Sequence, residues 1–216
     1  MNAHLDFLLS AVYDDADLHP EHLADLRKSG LTDVTIAMHK FRSVPPAMLD
    51  DLLGFDPAKV TSAYVLPFAE PGGGWMDHVR MKVFPSFTDR RGQTVKYLQP
   101  RRSGVRLFFP LATLGAALHS DEPLWLVEGE KKSLSVAQLG LPAIGMCGIE
   151  GWHRAGSLDL LDDFEHVSLH RTVKVVPDGD VQVNPAVARA TQRLAEALER
   201  RGARVQLVML PVEVAA

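Results

Sequence analysis

Two short acidic clusters in the C-terminal half combine residue types and spacing suited to metal-assisted chemistry. The first is Glu128-Gly129-Glu130, which follows directly on the apolar run Leu124-Trp125-Leu126-Val127. The second is Asp178-Gly179-Asp180, reached through Val173-Lys174-Val175-Val176 and Pro177. If the two apolar runs are neighbouring strands of one sheet, Glu128, Asp178 and Asp180 converge at its edge. Three carboxylates at close range repel one another, and a hard divalent cation relieves the repulsion. Mg²⁺ takes oxygen ligands and keeps several waters, which leaves positions for substrate phosphates. Gly129 and Gly179 allow sharp turns and a close approach of backbone to ligand. An Asp-x-Asp taken alone is most often a turn. The combination is more specific: Glu-Gly ends one strand, a Gly-containing strand follows, and Asp-x-Asp ends a later one.

The elements that would hold these residues alternate. From Pro123 the pattern predicts a strand over 124–127, a helix over 131–139 ending at Gly140, and a strand over 143–145. A short helix over 157–161, a strand over 173–176, a long amphipathic helix over 185–201 and a last strand over 204–210 follow. Asn184 and Pro185 open the long helix and Gly202 closes it, by the usual placement of proline at the start and glycine just past the end. Strand and helix in alternation imply parallel βαβ units with right-handed crossovers. In such sheets ligands bind beyond the carboxyl ends of the strands, where both acidic clusters lie.

The N-terminal half has a different character. Its first 55 residues read as helical, with Pro20 where one helix starts, Gly30 where it ends, and Thr32 capping a short helix through Met38. Residues 62–68 and 75–83 are rich in β-formers and are separated by Glu70-Pro71-Gly72-Gly73-Gly74. Asp89-Arg90-Arg91-Gly92 is a second turn, and 95–98 and 105–109 are further expected strands. Between positions 80 and 106 the local charge is +7, inside a chain of net charge −4, so the remainder carries −11. A basic stretch within an acidic protein fits an anion such as a nucleic-acid backbone or a triphosphate, or else a solvated hairpin with charged faces.

Several classes are excluded or disfavoured. One cysteine, Cys147, permits no internal disulfide and no cysteine-rich zinc site. No apolar run approaches the roughly 18 residues of a membrane span. The acidic N-terminus lacks the basic start and cleavage site of a signal peptide, so a cytoplasmic location is expected. There is no Gly-x-x-x-x-Gly-Lys-Ser/Thr phosphate loop, hence no helicase ATPase of that type.

The segments Val127-Glu128-Gly129, Gly145 to Gly148 and Asp178-Gly179-Asp180 together resemble the toprim domain of bacterial primases, topoisomerases and certain nucleases. The stretch Glu128 to Lys132, the segment Asn184-Pro185-Ala186-Val187 and the closing Leu210-Pro211 are similar to toprim-like modules of plasmid and phage replication proteins. Upstream, the stretch from His22 to Leu31 is similar to the start of that module. Lys96-Tyr97-Leu98-Gln99-Pro100 resembles a Lys-Tyr-Leu-Asn stretch of the bacterial primase core. The resemblance spans about residues 20 to 211. It implies an α/β fold: a toprim-like (Rossmann-like) parallel sheet with flanking helices over 121–216, preceded by a helical and β-rich basic subdomain over 1–120.

The resemblance also implies roles. Glu128, Asp178 and Asp180 would be the catalytic set and hold Mg²⁺ or Mn²⁺. Lys131 and Lys132 would face nucleotide phosphates, and Arg80, Lys82, Lys96, Arg101, Arg102 and Arg106 the nucleic-acid backbone, contacts that give affinity and salt dependence rather than sequence choice. The expected activity is primase-like nucleotidyl transfer in plasmid or phage DNA replication, on single-stranded DNA template with nucleoside triphosphates, beside a helicase that is fused or separate. A metal-dependent nuclease and a non-catalytic nucleic-acid-binding module remain open. Departures from the pattern are the missing cysteines of a primase zinc domain and the lack of a tyrosine in a topoisomerase context. The sequence ends just past Leu210-Pro211, where many relatives continue with a further polar motif, which reads either as a fragment or as one module of a larger replication protein. Glu128→Gln and Asp178→Asn are both expected to remove the chemistry and leave folding largely intact, because removing repelling carboxylates need not destabilise.

Two other features are expected to be structural. His166 and His170 lie in a segment that reads as extended, without further ligands for zinc. Trp152 is expected to cap a core rather than stack on a base.

Overall fold

The computed structural model describes residues 3–209, apart from the side chains of Ala3 and Asp180. The closing Leu210-Pro211 motif therefore lies outside the described residues. The chain divides into two units, Met1–Ser103 and Gly104–Ala216. No helix among the described residues is long and apolar enough to cross a membrane.

The first unit begins with helices α1 (Ala3–Asp15), α2 (Pro20–Lys28) and α3 (Asp33–Met38). Pro20 starts α2, and the Thr32 hydroxyl caps α3 by accepting from the Thr35 amide at 3.3 Å. After the short strand β1 (Arg42–Val44) and helix α4 (Leu49–Leu53) come β2 (Ser62–Ala69), β3 (Trp75–Thr88) and β4 (Thr94–Leu98). They form one antiparallel sheet of order β1-β2-β3-β4. The two hairpins form at the expected turns. Gly73 and Gly74 take positive φ in the first. In the second the Asp89 carboxylate accepts from the amides of Arg91 and Gln93, both at 2.8 Å.

One face of this sheet, carrying Ala63, Val65, Val79, Met81 and Val83, packs on Leu5, Leu8, Leu9 and Val12 of α1 and on Leu49, Leu52 and Leu53 of α4. Burying each such leucine contributes about 1.5–3 kcal/mol. Tyr64 points to the opposite face, where its hydroxyl donates to Asp25 at 2.7 Å and its ring meets Phe41. His22 ties α2 to two strands, its ring nitrogens lying 2.7 Å from the Ser43 hydroxyl and 3.2 Å from that of Ser62. The similarity noted from His22 to Leu31 thus falls on a packed helix whose buried members, His22 and Leu26, hold the sheet.

The second unit is the α/β part. After helix α5 (Leu114–His119) the order is β5 (Leu124–Glu128), α6 (Glu130–Ala137), β6 (Ala143–Met146), β7 (Thr172–Val176), α7 (Pro185–Arg200) and β8 (Arg204–Leu207). The strands form one parallel sheet of order β6-β5-β7-β8. Asn184 caps α7 by accepting from the Ala186 amide at 3.1 Å, and Ala190, Leu194, Ala197 and Leu198 make its buried stripe.

Two expectations are corrected here. Residues 105–109 are not a strand: Phe108 makes a single antiparallel bridge to Gly145, with N–H to O distances of 2.9 and 2.8 Å. That bridge needs a close approach, since a Cβ at Gly145 would lie 3.2 Å from the Phe108 Cβ and 2.6 Å from the Ser133 hydroxyl. Residues 157–161 do not form a helix. The Ser157 hydroxyl accepts from the Asp159 amide at 3.0 Å, a local turn that competes with helical bonding, and a 3₁₀ turn follows at Asp162–His166. By compactness the chain divides at 103/104. Phe108 and the pairing of Arg106 and Leu107 with Asp163 join residues 104–120 to the parallel sheet's own unit.

Candidate functional site

In the order β6-β5-β7-β8 the chain leaves β5 toward one side of the sheet, to β6, and later returns to its other side, to β7. The strand order therefore reverses between β5 and β7. A crevice at the carboxyl ends of strands at such a reversal is where open α/β sheets bind ligands. Register pairs Val127 with Val176, so Glu128 closes β5 beside the point where Pro177-Asp178 leaves β7. Two of the three expected carboxylates meet there.

Glu128 links three strand ends. One carboxylate oxygen accepts from the Asp178 amide at 2.8 Å and the other from the Ile149 amide at 3.1 Å. Ile149 lies in the loop after β6, so one side chain on β5 fixes the loops following both neighbours. Gly129 turns the chain into α6 at φ 103°, a conformation that favours glycine, while its N–H donates to the Met146 carbonyl at 2.8 Å. Lys132, in the first turn of α6, forms an ion pair with Asp178. Lys131 precedes it in the same turn. Asp180 has its backbone in a 3₁₀ turn, Gly179–Gln182, and its side chain lies outside the described residues.

Among the described residues no group of three or more His, Cys, Asp or Glu side chains is arranged to hold a metal. The described groups at the edge nevertheless suit a hard cation. Both acids offer oxygen, each carboxylate accepts about four contacts, and Asp178 already attracts one positive charge.

Beyond this edge stands a second ionic cluster that the sequence reading did not identify. Glu150, next to Ile149, pairs with Arg193 of α7 and with His153, whose Nε2 lies 3.0 Å from the carboxylate. The nearby Trp152 ring is fully buried against His153, which makes it a core residue. Only the spacing of Glu150 and His153 hinted at a pair; Arg193 comes from a helix 43 residues away. Burial alone would lower the His153 imidazole, but the hydrogen bonds to Glu150 and to the Arg154 carbonyl outweigh it, and the net shift is upward from 6.5. A raised folded-state pKa makes the cluster's contribution fully present below the unfolded value and lost as pH rises through the folded one. In an NMR titration the His153 midpoint is expected above 6.5 and lower in Glu150→Gln; a wild-type midpoint at or below 6.5 would contradict the pairing.

The basic residues separate into several settings. In the first unit Arg80 lies over the Tyr97 ring at 4.8 Å, and Lys82 lies between Tyr97 at 5.2 Å and Phe84 at 5.4 Å. Lys82 and Tyr97 are direct cross-strand partners, so this is one cationic and aromatic face. Lys96 is exposed and, as the neighbour of Tyr97 along β4, faces the other way. Arg101 and Arg102 are exposed in the turn after β4, where Arg101 lies over Phe55 at 5.8 Å and Arg102 adopts φ 66°. Arg106 belongs to the second unit. Its Nε and Nη2 donate to Asp163 at 2.8–3.0 Å, and Asp163 also accepts from the Leu107 amide at 2.7 Å. Asp163 is buried, so removing Arg106 would strand a carboxylate, and this arginine has a structural role.

A family model described as a domain of unknown function (DUF3854) matches residues 117–215. No curated protein matches the chain. Among solved structures the chain is similar to the Aquifex aeolicus primase, in a crystal structure of its zinc-binding and RNA polymerase domains, with a TM-score of 0.67 and 16% identity. The alignment covers 97% of this chain and 55% of that one, so this chain spans about half the length of the primase fragment. At that identity the likeness is one of fold, and it extends over both units.

Proposed function

We propose that this chain is a primase-type nucleotidyltransferase module of toprim character, acting on single-stranded DNA template and nucleoside triphosphates. The observation that carries the reading is the meeting of Glu128 and Asp178 at the carboxyl ends of adjacent parallel strands, where the strand order reverses. The fold shared with a bacterial primase supports it. In this reading Glu128, Asp178 and Asp180 hold Mg²⁺ or Mn²⁺, which when bound neutralises charge on the triphosphate and orients the attacking oxygen. Glu128 has a second duty, keeping the loops after β6 and β7 in register through the amides of Ile149 and Asp178. Lys131 and Lys132 lie on the nucleotide side of the edge. Arg80 and Lys82, with Tyr97 and Phe84 among them, present charge for a strand's phosphates and ring faces for its bases, and Lys96, Arg101 and Arg102 add backbone contacts. A helicase, fused or separate, is the partner this reading assigns, in plasmid or phage replication.

The test is extension. Protein, single-stranded DNA and labelled nucleotides are incubated with Mg²⁺ or Mn²⁺, with chelator and nucleotide omission as controls. New product that requires metal, template and nucleotides together is expected. DNA shortened without nucleotides would replace this reading by a nuclease. DNA bound in chelator with no product under any condition would replace it by a non-catalytic module.

A further inference from the structure

Resting on that reading, we propose that Lys132 is the resident counter-ion of the carboxylate edge, held on Asp178 in the metal-free protein and displaced by the divalent cation, so that it acts as an internal competitor that lowers metal affinity. Three observations converge. Lys132 sits in the first turn of α6, where a positive charge opposes the helix dipole and is disfavoured. A lysine kept against that local preference has a partner elsewhere, and the partner is Asp178, 46 residues away. Second, the lysine's stem runs beside Gly129, where a Cβ would stand in ordinary contact, 3.8 Å from the Lys132 Cδ and 3.9 Å from its Cγ. Third, the pair is exchangeable, since the two side chains remain 53% and 44% exposed. Water can take over either charge when the pair opens, as it cannot for a buried pair.

An ammonium on Asp178 Oδ1 and a divalent cation on the same carboxylate repel each other, so the two compete for its charge. Metal entry therefore favours opening of the Lys132 pair. Lys132 is thus a positioning residue for Asp178, and its influence on metal binding has a sign that a packing role would not produce.

Mn²⁺ is titrated into the full chain without nucleotide or DNA, and the free ion is followed by its electron paramagnetic resonance signal. The chains compared are wild type, Lys132→Met, Lys132→Arg, Asp178→Asn and the Lys132→Met/Asp178→Asn double variant. Lys132→Met is expected to bind Mn²⁺ about three- to tenfold more tightly than wild type at low salt, the range of an exposed ion pair and a partly screened repulsion. The gain should shrink as salt rises. Lys132→Arg should stay near wild type, and the double variant should lose the gain. Equal or weaker binding by Lys132→Met, with wild type still binding, overturns the competition and leaves the metal site standing. A double variant that binds as tightly as Lys132→Met also overturns it, because the competition would not be at Asp178. No Mn²⁺ binding by wild type or by Lys132→Met overturns the metal reading itself and the proposal with it.

Discussion

Replacing Glu128 by glutamine is expected to lower stability by about 1–3 kcal/mol as well as to remove metal-dependent product, whereas Asp178→Asn removes product at nearly unchanged stability. This refines the expectation that both substitutions leave folding largely intact. Both oxygens of Glu128 accept backbone N–H groups, from Asp178 at 2.8 Å and Ile149 at 3.1 Å. A glutamine offers one oxygen and one NH₂, so one of the two amides would face a donor. Hydrogen bonds to a charged acceptor are also the stronger kind. Asp178 is different: its described partner is the half-exposed Lys132, and exposed pairs contribute about 0–1 kcal/mol. Urea denaturation of the two variants beside wild type, with the extension assay on the same preparations, checks the contrast. Equal stability of Glu128→Gln and wild type would mean that the carboxylate does not hold the two loops. Product formed by Asp178→Asn at the wild-type rate would remove this edge from the chemistry.

Arg171→Leu is expected to cost about 3 kcal/mol or more, a large part of the 5–15 kcal/mol that holds a typical domain. Arg171 is buried, and its guanidinium donates to the carbonyls of Ala116 at 3.0 Å and Ser120 at 2.8 Å, and also to that of Ala117. These carbonyls lie at the end of α5, a helix of six residues, and that of Ala116 also accepts from the Ser120 amide at 3.2 Å and the Ser120 hydroxyl at 2.8 Å. A cation there also complements the helix dipole. Leucine fills the volume but removes the guanidinium from the carbonyls of Ala117 and Ser120, while that of Ala116 keeps the Ser120 amide and hydroxyl. Arg171→Lys keeps the charge with fewer donors and should fall between. Denaturation midpoints decide the matter: a loss below about 1 kcal/mol for Arg171→Leu would show that water or a shift of α5 replaces the arginine. Nothing in Leu169-His170-Arg171-Thr172-Val173 sets this arginine apart from a solvated charge before a strand. Its acceptors lie 49 to 55 residues earlier in the chain.

The same division runs through the whole molecule. The alternation of apolar strands with helices from Leu124 onward, the caps of α3 and α7, both hairpin turns and the positions of Glu128 and Asp178 at strand ends were legible in the residues themselves. Each depends on interactions over a few positions: period, capping geometry, turn conformation. The short helix expected over 157–161 failed because a serine hydroxyl offers the backbone a competing local bond, and residues 105–109 failed as a strand because only Phe108 finds a partner. The basic stretch from 80 to 106 was correctly seen as charge, yet one sheet face holds Arg80 and Lys82, Lys96 faces the other way, and Asp163 takes Arg106.

By itself, then, the sequence determined which segments are strands and helices in the sheet and which acidic residues end them, since backbone preference and hydrophobic period act locally. Only the tertiary structure decided the strand order β6-β5-β7-β8, the two amides on Glu128, and the pairing of Lys132 with Asp178 and of Arg106 with Asp163. Those contacts join residues 21 to 57 positions apart. A charged side chain's partner at such separations is selected by the packing of whole elements, which no local pattern encodes.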